Sequence, residues 1–187
     1  YFRNVGRTRR EGIEAALSNR WGPLSLDARA SFLNATFRAP FTAASPANST
    51  ANENGEIAVR PGDRIPGIAQ RSVKLRLEYE AKAASAGGMV LAQGPTHARG
   101  DENNADASGR VPGYAVVNLD ARWRLSTSTE MFVRIDNVFD KRYAGFGALG
   151  FNAFASGHFD PAHAVAEPFY GYGVPRGAWA GARLTWR

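Results

Sequence analysis

The run RSVKLRLEYEAK, residues 71–82, alternates without interruption. Val73, Leu75, Leu77 and Tyr79 fall on one parity, and Lys74, Arg76, Glu78 and Glu80 fall on the other. A period of two is that of an extended strand with one apolar and one charged face. Five further segments repeat it. In 10–21, Ile13, Ala15, Leu17 and Trp21 oppose Glu14, Ser18 and Arg20, and in 24–32, Leu24, Leu26, Ala28, Ala30 and Phe32 oppose Ser25, Asp27, Arg29 and Ser31. In 113–124, Ala115, Val117, Leu119, Ala121 and Trp123 oppose Tyr114, Asn118, Asp120, Arg122 and Arg124. In 130–135, Met131, Val133 and Ile135 oppose Glu130, Phe132 and Arg134, and in 177–187, Ala178, Ala180, Ala182, Leu184 and Trp186 oppose Trp179, Arg183 and Thr185. A seventh segment, 87–94, carries too much glycine for a face to be assigned. Most of the seven approach the ~10 residues with which a tilted strand crosses a bilayer.

The connections narrow the choice. Gly22-Pro23, Lys82–Gly87 and Leu125–Thr129 are short, whereas Arg38–Gln70, Pro95–Pro112 and Asp140–Pro175 are long and read as loops. Short and long alternate strictly, the asymmetry of an outer-membrane barrel with tight turns on one side and extended loops on the other. With the short turns below, strands one, three, five and seven descend, and Trp21, Tyr79, Trp123 and Trp186 stand at their lower ends on the apolar parity. That arrangement predicts an interfacial aromatic girdle; in a soluble sheet the same rings would be core. Asp27, Arg29, Lys74, Arg76, Glu78, Asp120, Arg122 and Arg134 would then line a wet interior. The expected fold is an all-β, antiparallel transmembrane β-barrel wall.

Composition excludes more than it selects. Lys+Arg number 23 against 17 Asp+Glu, a net charge of +6, but the basic residues are interleaved with acids, so no nucleic-acid partner is expected. No cysteine is present, which removes disulfides and thiolate metal sites. No apolar run reaches the ~18 residues of a spanning helix, and the 20 Gly and 10 Pro suit many turns. Gly145–Gly150 matches G-x-G-x-x-G, but no helical period follows, so it reads as a flexible aromatic loop rather than a dinucleotide site. Asp101-Glu102-Asn103-Asn104 lacks the glycine of a calcium loop and reads as a solvated loop holding local turns. His158, Asp160 and His163 have metal-binding chemistry without a scaffold and read as polar surface. No G-x-S-x-G, H-E-x-x-H or Cys–His set is present, so neither an enzyme nor a cofactor is expected.

At 131–147, MFVRIDNVFDKRYAGFG resembles the penultimate barrel strand of a TonB-dependent outer-membrane receptor, whose strand ends on an Asn-(Val/Leu)-Phe-Asp-(Lys/Arg)-(Lys/Arg)-Tyr box. Here the box is Asn137, Val138, Phe139, Asp140, Lys141, Arg142 and Tyr143. Segments 2–17, 60–75, 99–104, 111–122 and 173–186 are similar to further loop and strand patterns of that family. The resemblance implies that 1–187 is the C-terminal part of a 22-stranded barrel, with the plug domain and the TonB-contacting box outside this chain. YFRNV would be the tail of a preceding strand, and Arg187 follows Trp186 where such barrels usually end on an aromatic residue. It also implies a Gram-negative outer membrane, contact with its lipid, TonB reached through the absent N-terminal part, and a scarce ligand, foremost a ferric siderophore. Candidate contacts are Arg99, Arg142, Tyr143, Phe146, Tyr170 and Tyr172, since aromatic faces with arginine suit a polar, often anionic chelate. Packing of those rings within their own loop and against the upper membrane interface is the equal alternative. A structural or adhesin-like barrel and a soluble ligand-binding β-barrel are the competing functions. The sheet is expected to be open, with strands one and seven unpaired at its edges.

Overall fold

The computed structural model describes residues 6–186. Its strands are β1 (Thr8–Trp21), β2 (Leu24–Phe37), β3 (Phe41–Ala44), β4 (Glu56–Val59), β5 (Arg71–Glu80), β6 (Ala84–Gln93), β7 (Thr96–His97), β8 (Arg110–Val111), β9 (Tyr114–Arg124), β10 (Thr129–Asp136), β11 (Ala144–Asn152), β12 (Val165–Tyr172) and β13 (Gly177–Leu184). A 3-10 turn, Pro161–His163, precedes β12. Seven strands form one antiparallel sheet in the order β1-β2-β5-β6-β9-β10-β13, the seven legible in the alternation. Among the described residues β1 pairs only with β2 and β13 only with β10, so the sheet is not closed. The proposed preceding strand, YFRNV, lies outside the described residues, as does Arg187.

Register keeps every apolar parity on one side. Trp21, Leu24, Tyr79 and Ala86 form one row, and Leu17, Ala28, Leu75 and Val90 another. Ile13, Leu17, Trp21, Leu75, Leu77 and Trp123 all remain exposed on that side. The opposite face is concave and carries the charged parity, with Met89, Leu91, Phe132 and Trp179 set among the charges, and it holds a recess of about 580 Å³ lined by Glu14, Ser18, Arg29, Lys74, Leu91 and Tyr114. A soluble barrel would need the reverse arrangement.

The glycine-rich seventh segment proves to be a full strand starting at Ala84 rather than Gly87, with Ala86, Gly88, Val90 and Ala92 on the apolar side. Its glycine has a use. Gly87 lies between Glu78 and Asp120 in register, and a Cβ there would stand 2.8 Å from an Arg76 guanidinium nitrogen. The bare backbone lets Arg76 cross β6 and reach Asp120 at 2.8 Å while also bonding Glu78 at 2.9 Å.

The long connections are not irregular. Each carries a two-stranded hairpin of its own: β3–β4, β7–β8 and β11–β12. Gly145–Gly150, expected to be a flexible loop, belongs to β11. These strands are short or glycine-bearing, and packing between connections, rather than alternation, sustains them. The first has a small core of Phe37, Ile57 and Val59, with Phe41, Ala43 and Ile65 packed against it.

Candidate functional site

All three hairpins emerge from the same end of the sheet, and hydrogen bonds bind them together. Ser45 Oγ and Asn48 Nδ2 both donate to the carbonyl of Gly100, at 2.7 and 2.9 Å. Asn104 accepts from the Arg64 amide at 2.5 Å and donates back to its carbonyl at 3.0 Å. The second connection then joins the third as if it were a strand: Arg99 N donates to Gly147 O, and Leu149 N to Arg99 O, both at 2.8 Å. Gly147 makes this approach possible, because a Cβ there would lie 2.6 Å from a Val111 methyl.

Asp101 organises the second connection. Contrary to the expectation of a solvated loop, it is 1 % exposed. One carboxylate oxygen lies 2.7 Å from His97 Nδ1 and the other accepts from Asp106 N at 2.9 Å. Burial would push the Asp106 carboxyl up, but it accepts from the backbone N–H groups of Ser49 and Ser108, and these outweigh burial and hold it below the ordinary carboxylate value.

The Asn137–Tyr143 box forms the base of the third hairpin. Asn137 is buried and left-handed, with φ of 50°. Its backbone N–H donates to Asn118 Oδ1, its Oδ1 accepts from Lys141 N, and its Nδ2 donates to the carbonyls of Lys141 and Val174. Asp140 accepts from Arg176 N at 3.0 Å. Phe139 takes no part in this pinch and is exposed. Sequence reading singled out the box by resemblance alone; the hydrogen bonds give its members physical work.

The six candidate contacts do not form one patch. Arg142 lies over the Tyr172 ring at 6.0 Å from its centre, and Tyr170 stands 6.0 Å from Tyr172. Phe146 is opposite Gly171 in register and points to the other face of the hairpin, the face on which the Arg99↔Ala148 bridge places Arg99. Tyr143 stacks at 4.4 Å on Tyr114, a wall residue of the concave recess. Tyr114 was read only as a strand residue; its place at the end of a lumenal row beside a loop aromatic was the available signal. Trp21, Tyr79, Trp123 and Trp186 are all exposed, the first three on the apolar side of the sheet. His163 turns to Asp160 at 2.9 Å, whereas His158 faces Ser156 at 3.3 Å, so the three candidate ligands do not converge.

A family model described as TonB dependent receptor-like, beta-barrel, matches residues 1–138. The chain is similar in structure to the siderophore receptor PiuA from Acinetobacter baumannii, at 14% identity and TM-score 0.69, over 95% of this chain and 22% of that one. It is likewise similar to the closed form of the ferric-catecholate import receptor Fiu from E. coli K12, at 16% identity and TM-score 0.62, over 95% and 21%. The ferric yersiniabactin uptake receptor FyuA from Yersinia pestis matches at 18% identity and TM-score 0.60, over 95% and 23%. The chain spans about a fifth of the length of these structures, and likeness at such identities shows a shared barrel-wall fold.

Proposed function

This chain belongs to the TonB-dependent receptor family of β-barrels, and we propose that residues 1–187 form the C-terminal wall of a receptor that captures a ferric siderophore at the outer membrane of a Gram-negative bacterium. The plug and the TonB contact lie elsewhere in that receptor, and TonB acts through them. The apolar convex face meets lipid, and the charged concave face meets water and the plug.

The line of exposed Arg142 and Tyr172 with half-buried Tyr170 carries the ligand reading. A guanidinium beside two phenol rings offers charge to an anionic chelate and flat faces to its aromatic groups. The Asn137 pinch and the Arg99–Gly147 junction hold that line in place before any ligand arrives, which lowers the ordering cost of binding. The structural or adhesin-like barrel gives no role to an exposed cation–aromatic line so fixed.

The test uses the full-length receptor and a panel of ferric siderophores, with affinity read from fluorescence quenching. Tyr172→Ala combined with Arg142→Gln should weaken the best ligand by about tenfold or more, on the scale of one lost cation–aromatic contact, without altering barrel insertion. Unchanged affinity would move the site to other loops or to the plug.

A further inference from the structure

Arginines stand on both sides of the sheet. On the concave side Arg20, Arg76, Arg122, Arg134 and Arg183 pair with carboxylates, while Arg10, Arg29 and Arg124 face the open recess side without one among the described residues. On the convex side, at the end away from Trp21 and Tyr79, the register stacks arginine in successive rows. Arg71 shares the row of Ile13 and Phe32. Thr36 is flanked on one side by Arg9 and on the other by Arg64, through an antiparallel bridge that puts all three side chains on one face. Above them Arg7 and Arg38 are joined by a backbone bond of 2.8 Å, and Arg7, Thr8, Arg9 and Arg38 enclose an open recess of about 390 Å³. All five arginines are exposed. Glu11 pairs with Arg9, but among the described residues no carboxylate pairs with Arg7, Arg38, Arg64 or Arg71.

Height decides what such a cluster meets. From Trp21 to Ile13 is eight residues, roughly 20 Å of vertical rise for a strand tilted about 40°. An apolar band about 25 Å tall therefore ends near the Glu11–Asn34 row. Arg9 and Arg64 stand immediately above that line, facing outward, and Arg71 reaches it from just below. Four unneutralised guanidinium groups at headgroup height call for anions from the membrane, and the planar, forked donors of arginine suit phosphate oxygens.

We propose that this convex rim over β1, β2 and β5 docks the phosphate of an anionic lipid headgroup in the outer leaflet. The proposal rests on the membrane reading above and goes beyond it, because an apolar belt alone gives no preference among lipids.

The full-length receptor is folded into phosphatidylcholine vesicles with or without phosphatidic acid and extracted in mild detergent, and retained lipid is read by native mass spectrometry. Insertion is followed separately by heat-dependent gel mobility. Wild type should retain phosphatidic acid in preference to phosphatidylcholine. Arg38→Gln/Arg64→Gln/Arg71→Gln should insert normally and lose that preference, by about fivefold per arginine, while the concave-side control Arg183→Gln keeps it. Excess soluble glycerol phosphate should not strip the lipid. Normal insertion with no phosphatidic acid on wild type, or with full retention by the triple variant, overturns the proposal alone. Full displacement by glycerol phosphate also overturns it, in favour of a free-anion site. Failure of wild type to insert in either vesicle overturns the membrane reading and this inference together.

Discussion

The side-chain amide of Asn137 donates to the carbonyl oxygen of Val174 at 3.0 Å, across the whole of the third connection. Its other bonds go to Lys141, so one buried side chain fastens the exit of β10 to the approach of β13. The β11–β12 hairpin rises from that fastening.

Asn137→Ala should release both ends. Removing the amide leaves buried backbone groups without partners, at about 1–3 kcal/mol, and alanine tolerates the left-handed backbone of Asn137 less well than asparagine does. The expected outcome is faster proteolysis within 144–172, with the seven-stranded sheet still protected. Equal cleavage rates in variant and wild type would show that the pinch is not what holds the hairpin.

The assignment of faces is tested by two neighbours. Leu75→Arg places a charge on the convex apolar side and should impair assembly by about 2–4 kcal/mol near the midplane. Arg76→Leu strips two carboxylates of their shared partner, yet both stay partly open to water and Glu78 keeps Arg122, so the loss should be smaller. Urea unfolding in lipid vesicles ranks the two. The reverse order would invert the faces.

Acid should loosen the junction between the first and second connections. The folded-state value of Asp106 lies below its ordinary 3.8, so its contribution is complete above that value and is lost as pH falls through the lower, folded one. Hydrogen exchange at Ser49 and Ser108, whose amides bond its carboxylate, should accelerate relative to strand amides below about pH 4. Asp106→Asn should abolish that acid-induced step. A step that persists in the variant would assign it to another carboxylate.

Gly147→Leu should lift the third hairpin from the second connection, because even a Cβ there meets Val111 at 2.6 Å. Amide exchange at Arg99 and Leu149 reads the loss of the bonds that these amides donate to Gly147 and Arg99. Protection unchanged from wild type would mean that the hairpin is held from its base alone.

The sheet was legible because one residue in two had to be apolar over six of its seven strands. β6 was the weakest reading for a physical reason: Gly87 is bare so that Arg76 can pass over it, and a position emptied for a neighbour's side chain contributes no pattern of its own. The outer hairpins were missed for a related reason. β7 and β8 are two residues each, and β11 holds Gly147 where Val111 packs, so their regularity comes from contacts between distant connections. The candidate ligand residues were found by composition, but composition does not carry facing. Phe146 and Tyr170 sit on opposite sides of one hairpin, a fact that depends on a register shift between Ala144 and Phe146.

The pinch at Asn137 also bears on how such a chain can change over generations. The register from Thr129↔Leu184 to Asp136↔Gly177 runs without a shift up to the fastening, and beyond it the main sheet ignores everything until β13 returns. Residues 144–172 therefore sit as a cassette on a fixed socket, joined sideways to the second connection at Arg99. Substitutions or insertions that keep the Asn137 socket and the Arg99 junction can reshape that hairpin while the wall keeps its alignment.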